Sequence, residues 1–338
     1  MKIAVDAMGG DFAPRNAVQG AVEACREFQL PIILVGREQD IHGELDRLNV
    51  RGLPIEVVHA EEVVGMDEPA ITAIRKKKKS SIRIGARLVK DGDAQGFVSA
   101  GNTGAVMATS TIVMKSLEGV KRPALATVVP TMTGASILLD VGANVDCRAR
   151  HLMQFAVMGS FYAEAILGRK RPKIGLLSIG EEASKGNEQT RQVFDILRQT
   201  SINFVGNVEG RDVFNGSVDV IVCDGFVGNI TLKVSESLAE TMEHLIRAEI
   251  KKSILARIGY LFMRPAFNKF KKRVDYSEYG GAPLLGISGV TIICHGRSSA
   301  KAIKNAVRVA GDFCAKDVNG QISRGLAELV RQEESVAV

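Results

Sequence analysis

The alternation of short apolar, β-branched runs with segments of helical period constrains this chain more than any other feature. The runs are KIAVDA (2–7), PIILVG (31–36), IEVVHA (55–60), GFVSAG (96–101), ALATVVP (124–130), SILLDVG (136–142), KIGLLSIG (173–180), INFVGNV (202–208), VDVIVCDG (218–225) and GVTIICHG (289–296). Many are apolar almost throughout, the pattern of strands covered on both faces. Between most of them lie helix-period segments such as PRNAVQGAVEACREF (14–28) and CRARHLMQFAVMGSFYAEAIL (147–167). This order predicts an α/β layered fold on a mostly parallel sheet with right-handed crossovers. The uncharged stretch ALATVVPTMTGASILL (124–139) is too short to span a bilayer. It reads as two strands joined at Pro130–Gly134. The N-terminal MKIAVDAMGGDF places an acid inside its apolar run, so it predicts a strand and not a signal peptide. No repeat, linker or composition break divides the 338 residues. One α/β unit over 1–338 is expected, with a basic amphipathic segment, 240–273, inserted in it.

Composition narrows the function classes. The chain is 46% hydrophobic and 24% charged, values of an ordinary globular protein. Tryptophan is absent and tyrosines number only four, which argues against a base-stacking, nucleic-acid-binding surface. The five cysteines are scattered without a CxxC pair, the usage of a reducing compartment and of inert core thiols. No HExxH, GxSxG or EF-hand pattern occurs, and no metal or cofactor is expected. A dinucleotide fingerprint is missing too, and GEEASKGN lacks the spacing of a phosphate-binding P-loop.

Polar, glycine-containing loops follow the strands: DAMGGDFAP, SAGNTGA, DVGANVD, SIGEEASKGN, CDGFVGN and CHGRSS. Ligands of parallel α/β sheets bind at the carboxyl ends of strands, where glycines admit close approach and helix N-termini offer unpaired N–H groups. The six loops, with Gly10 and Gly228 among their glycines, predict a composite pocket along one edge of the sheet. Lys185 and Asn187 follow one strand; Asn229 and Lys233 follow another. Together they suit a tetrahedral oxyanion, with Asn102, Thr103 and Asn144 adjoining. The bland alternative makes Asn229 a helix N-cap and Lys185 a solvated charge beside Glu181 and Glu182. Of five histidines only His295 occupies a post-strand loop, so a histidine-assisted nucleophile has little support and an external nucleophile is expected.

The formal net charge of +6 is concentrated between Arg247 and Arg273, where nine cations face a single carboxylate, Glu249. Apolar residues recur at helical spacing in this segment, and Pro265 is expected to break or kink it. One apolar and one basic face predict contact with a membrane surface or an acidic partner through Lys251, Lys252, Ile254, Ile258, Leu261 and Phe262; a dimer seam is the bland alternative.

VDAMGGDFAP, SAGNTGA, DVGAN, IGEEASKGN, CDGFVGN and GGAPLLG (280–286), in this order, resemble the bacterial phosphate acyltransferase (PlsX) family, acyl-acyl-carrier-protein:phosphate acyltransferases. The resemblance runs from Lys2 to about Asp317. It implies a three-layer α/β/α fold similar to phosphotransacetylases and isocitrate dehydrogenase-like enzymes. It also implies a cytoplasmic, peripherally membrane-associated homodimer that moves a long fatty acyl group from acyl carrier protein to inorganic phosphate. Acyl phosphate then feeds phospholipid synthesis, and a contact with glycerol-3-phosphate acyltransferase stays open. On this reading Lys185, Gly186 and Asn187 hold phosphate, while Asn229 and Lys233 serve the thioester. Asp6, Asn102 and Asn144 shape the pocket, and GGAPLLG, with Leu284 and Leu285 in an exposed glycine-flanked loop, and the Phe262–Phe267 region wall an acyl groove. A short-chain phosphotransacetylase using acyl-CoA and a non-catalytic lipid-surface scaffold are the competing readings.

Overall fold

The computed structural model describes residues 1–274 and 276–336, with side chains described outside 271–276 and 330–338. The side chains of Lys271, Lys272 and Arg273, part of the basic segment, therefore lie outside the described ones. Among the described residues eleven strands form one sheet. They are β1 (Ile3–Asp6), β2 (Ile32–Gly36), β3 (Ile55–His59), β4 (Gly96–Ser99), β5 (Ala124–Thr131), β6 (Gly134–Leu139), β7 (Ile174–Leu177), β8 (Phe204–Val208), β9 (Val220–Val222), β10 (Ala282–Leu285) and β11 (Val290–Ile293). Their order across the sheet is β3-β2-β1-β4-β11-β10-β5-β6-β9-β7-β8.

Side chains alternate between two covered faces, as the continuous apolar runs require. Ile3 and Val5 join one core with Ile137, Leu139, Val220 and Val222, beneath helices Arg15–Phe28, Ala149–Leu167 and Ala300–Ala315. Ala4, Leu138 and Ile221 join the other, beneath helices Ser81–Asp91 and Thr103–Met114. Three layers result. At the seam between helices Arg15–Phe28 and Ala300–Ala315, a Cβ on Gly20 would sit 2.4 Å from the Ala300 carbonyl, so only glycine lets them meet so closely.

The sheet departs from expectation in direction. β5 and β6 form the antiparallel pair expected at Pro130–Gly134. β10, a strand not anticipated, runs antiparallel to both β11 and β5. Three antiparallel pairings in the middle therefore reverse the second half. β3, β2, β1, β4 and β11 run one way, and β6, β9, β7 and β8 the other. The six post-strand loops cannot share one edge; they form two clusters.

Two further expectations are corrected. Leu284 and Leu285 do not wall an exposed groove: they are 2% and 0% exposed. They lie in β10, in register with Leu125 and Ala124, and point into opposite cores. Of the break or kink expected at Pro265, the break does not occur there: the helix is continuous over Ile254–Val274 with Pro265 inside it, and the break falls at Ser253, whose backbone is extended. Proline removes one N–H and frees the carbonyl four residues back, at Leu261. Leu261 is 65% exposed, so water can take that carbonyl. No helix among the described residues is long and apolar enough to cross a membrane.

Candidate active site

The first cluster is organised by a carboxylate that sequence reasoning left unnamed. Asp140, directly after β6, is wholly buried. Its Oδ1 accepts the N–H groups of Leu125, Gly142 and Ala143, at 3.0, 3.2 and 3.0 Å. Its Oδ2 accepts the backbone N–H and the side-chain amide of Asn144, at 2.8 and 2.9 Å. Burial pushes the Asp140 carboxyl above its ordinary value, against the pull of these donors. The Asn144 amide also donates to the Pro123 carbonyl at 2.7 Å, so its N–H groups hold the loop and do not reach out to a ligand.

The loop so fixed receives the next one. Gly225 N–H donates to the Asn144 carbonyl at 2.7 Å, and Asp224 caps helix Gly225–Lys252 through Val227 N–H at 2.8 Å. Asp224, not Asn229, is thus the N-cap. Gly228 lies so close to Asp140 that a Cβ there would be 1.8 Å from its carbonyl oxygen. This contact sets exposed Asn229 one turn into the helix and beside Gly142, where a Cβ would be 3.7 Å from the Asn229 amide.

On neighbouring β7 the third loop is tied in by Gln189, whose amide donates to the Cys147 carbonyl at 2.7 Å. Asn187 caps helix Glu188–Leu197 by accepting Thr190 N–H at 2.8 Å. Gly186 has φ +96°, and a Cβ would meet Thr190 Oγ1 at 2.1 Å and Ser178 Oγ at 2.8 Å. Ser178 Oγ is buried with no hydrogen-bond partner. It is a polar atom that sequence reasoning had no signal to find.

Glu181, the neighbour that should have neutralised Lys185, is instead paired with Arg211 at 2.6 Å, and Arg211 also reaches Glu209 at 3.3 Å. The Lys185 ammonium has no ion-pair or hydrogen-bond partner among the described residues. Adjacent strand ends thus gather Lys185, Gly186 and Asn187 with Gly228, Asn229 and Asn144.

The second cluster closes the ends of β1, β4 and β11. Asp6 is buried and accepts Ser99 Oγ–H at 2.7 Å and Met8 N–H at 3.1 Å. Gly10, with φ +100°, lies against the Gly296 carbonyl, which also accepts Asp11 N–H at 2.8 Å. Asn102 is fully engaged: it caps Ala105 N–H at 3.0 Å and donates to the Met66 and Glu68 carbonyls at 2.6 and 3.0 Å. Thr103 begins the helix behind it and is exposed.

One lysine connects the clusters. Lys233, two turns along helix Gly225–Lys252, places Nζ 3.3 Å from His295 Nε2 and 3.1 Å from Glu236. His295 belongs to the β11 loop and accepts Arg297 N–H at 3.3 Å. The contact joins the helix that follows β9 to the loop that follows β11.

Burial pushes Asp6 above the ordinary aspartate value of 3.8, with the Ser99 and Met8 hydrogen bonds opposing. The unfolded chain then ionises this group at lower pH than the folded protein, so its contribution to stability falls as pH rises through the folded value. Asp6→Asn removes the dependence. Its melting temperature relative to the parent is expected to climb as pH is raised above 3.8, measured by thermal denaturation; a constant difference would contradict this.

No thiol is primed for nucleophilic work. Burial raises Cys147 and Cys294 to about 12 and Cys314 to about 11, and raises Cys25 and Cys223 as well. Two surface hollows of about 310 and 490 Å³, one around Gln95 and Asn319 and one around Arg169 and Lys316, lie away from both clusters.

The fold is that of the phosphotransacetylases. A phosphotransacetylase from Streptococcus pyogenes superposes with a TM-score of 0.66 at 17% identity, covering 94% of each chain. The EutD phosphotransacetylase from Staphylococcus aureus gives 0.62 at 16% identity, over 93% of this chain and 94% of that one. Sequence comparison is sharper. Residues 1–321 match the family described as fatty acid synthesis protein. A phosphate acyltransferase of Citrifermentans bemidjiense is 58% identical over 328 residues, 97% of this chain and 93% of that one. One of Geobacter sulfurreducens is 56% identical over 323 residues, 96% and 93% of the two chains. The chain belongs to the phosphate acyltransferase family.

Proposed function

We propose that this chain transfers a long-chain acyl group from acyl carrier protein to inorganic phosphate. Lys185 carries the reading: an ammonium without an ion-pair or hydrogen-bond partner among the described residues, on a loop where Glu181 is held by Arg211. Phosphate is already nucleophilic, so the protein must hold it and stabilise the charge that develops on the thioester oxygen. Lys185, with the N–H groups of Gly186 and Asn187, holds phosphate. The phosphate oxygen attacks the thioester carbonyl; the new C–O bond forms, the C–S bond breaks, and acyl phosphate and the carrier thiolate leave. Asn229 polarises the carbonyl, and Lys233, beside His295, offers a cation to the departing thiolate. Asp6, Gly10, Asn102, Thr103, Asn144 and Gly228 fix the loops around them.

The test is thiol release from palmitoyl-acyl-carrier protein, with and without phosphate. Release that requires phosphate and yields one acyl phosphate per thiol is expected. Turnover of acetyl-CoA alone would instead favour a short-chain phosphotransacetylase, and vesicle binding without turnover a scaffold.

A second copy of the chain and a lipid surface share the exposed helices. Val234, Leu238, Met242 and Leu245 form one apolar stripe on helix Gly225–Lys252. The following helix exposes Ile254, Ile258, Leu261 and Phe262, the last by 83%. Lys251, Lys252 and Arg257 lie near their junction, where each cation close to an anionic membrane adds about 1 kcal/mol. Phe262→Glu is expected to abolish sedimentation with anionic vesicles while phosphate-dependent turnover in solution persists; unchanged sedimentation would remove this surface from the reading.

A further inference from the structure

From Ala70 to Arg83 the chain carries six cations and no carboxylate: Arg75, Lys76, Lys77, Lys78, Lys79 and Arg83. Lys77 is spent on Glu68 and the Val63 carbonyl, Lys79 on Glu61, and Arg83 on the Ile74 carbonyl. Arg75, Lys76 and Lys78 are exposed and make no hydrogen bond or close ion pair among the described residues, although Lys76 acts on the Glu68 carboxylate through space. Ile71 lies one turn before Arg75 on helix Ala70–Lys76 and is 68% exposed. An exposed apolar side chain one turn from a cation, with two more exposed cations following in the chain, suits an acidic amphipathic helix.

Position adds the second part of the argument. The helix packs on Thr103–Met114, and the loop before it is tied to the site by the Asn102 amide at the Met66 and Glu68 carbonyls. Met66 also touches the Gly296 position, next to His295. A donor whose thioester hangs on a flexible arm must dock within reach of the reacting groups, and this patch borders the second cluster, beside the His295 that Lys233 reaches.

We propose that Ile71, Arg75, Lys76 and Lys78 form the docking surface for the acidic carrier protein, resting on the acyl-carrier reading above. A protein fits better than a membrane. A lipid surface needs an apolar stripe, which helix Ile254–Val274 has and this helix, with its single exposed isoleucine, lacks. Carrier docking and lipid contact then use different faces, so a loaded carrier need not compete with the membrane.

The test compares the parent with Arg75→Glu/Lys76→Glu/Lys78→Glu and with the milder triple alanine variant. Donors are palmitoyl-acyl-carrier protein and palmitoyl-pantetheine, which has the thioester without the acidic protein. Charge reversal is expected to raise KM for the carrier donor by at least about tenfold and to flatten its salt dependence. Pantetheine turnover, phosphate KM, melting temperature and vesicle sedimentation stay at parental values. The alanine variant shows a smaller change of the same kind, and direct titration with holo-carrier protein shows the same loss of binding. Equal loss with both donors, unchanged carrier KM, or loss of vesicle binding instead would each overturn the proposal. A parent that turns over pantetheine but neither uses nor binds the carrier would fail the acyl-carrier reading itself, and the proposal with it.

Discussion

Lys185→Ala is expected to lower kcat/KM for phosphate by about 10–10², the usual loss when one charge-assisted contact to a bound anion is removed. The side chain is exposed and unpaired among the described residues, so its removal leaves no buried group stranded and the melting temperature stays at the parental value. Lys185→Arg restores charge but not the compact ammonium, and recovers only part of the activity. Asn229→Ala, acting on the thioester side, lowers kcat and leaves the phosphate KM in place. Steady-state kinetics with phosphate and acyl donor varied separately distinguishes the two. Unchanged phosphate dependence in Lys185→Ala would remove that residue from the site.

Gly228→Ala is expected to be the most damaging single methyl group in the β6–β9 half of the sheet. The added carbon would lie 1.8 Å from the Asp140 carbonyl oxygen and 2.9 Å from Cys223 Sγ. The obstacle is backbone, fixed by a carboxylate that accepts five hydrogen bonds, so nothing can rotate aside. Helix Gly225–Lys252 must move away from β6, taking Asn229 and Lys233 with it. A loss of at least about 3 kcal/mol follows, together with the loss of turnover. Gly43→Ala is the control: its Cβ meets nothing within 4 Å on helix Glu38–Leu45. That change should stabilise by up to about 1 kcal/mol. Denaturant unfolding measures both, and a Gly228→Ala protein of parental stability and activity would contradict the packing described.

The elements of the fold were legible because buried strands write themselves as apolar runs. All ten runs are strands, and the Pro130–Gly134 turn joins β5 to β6 as expected. β10 was not legible: Ala-Pro-Leu-Leu is four residues long, contains a proline and is flanked by glycines. Missing it meant missing the reversal of the sheet, since periodicity records which residues are buried and not which way a neighbour runs. Leu284 and Leu285 were misplaced for the same reason.

In the site, the post-strand positions of Lys185, Asn187 and Asn229 made their common edge legible through β7 and β9, which are neighbours. What each side chain was free to do was not. Asn102 and Asn144 look alike as amides in glycine loops, yet both are occupied by backbone carbonyls, a fact that depends on Met66, Glu68 and Pro123, distant in sequence. Asp140 stood within a quoted motif and went unremarked because its partners are backbone N–H groups that no side-chain pattern reveals. The Lys233–His295 contact joins residues 62 apart and follows only from the reversed sheet.

Two loop clusters compete for the oxyanion, and the whole account rests on which one takes it. A crystal structure of the protein soaked with inorganic phosphate decides this most directly. Phosphate seated against Lys185 and the Gly186–Asn187 backbone, facing Asn229, is the predicted result. Phosphate held instead between Gly10, Asn102 and Gly296, with Lys185 turned to solvent, would contradict it.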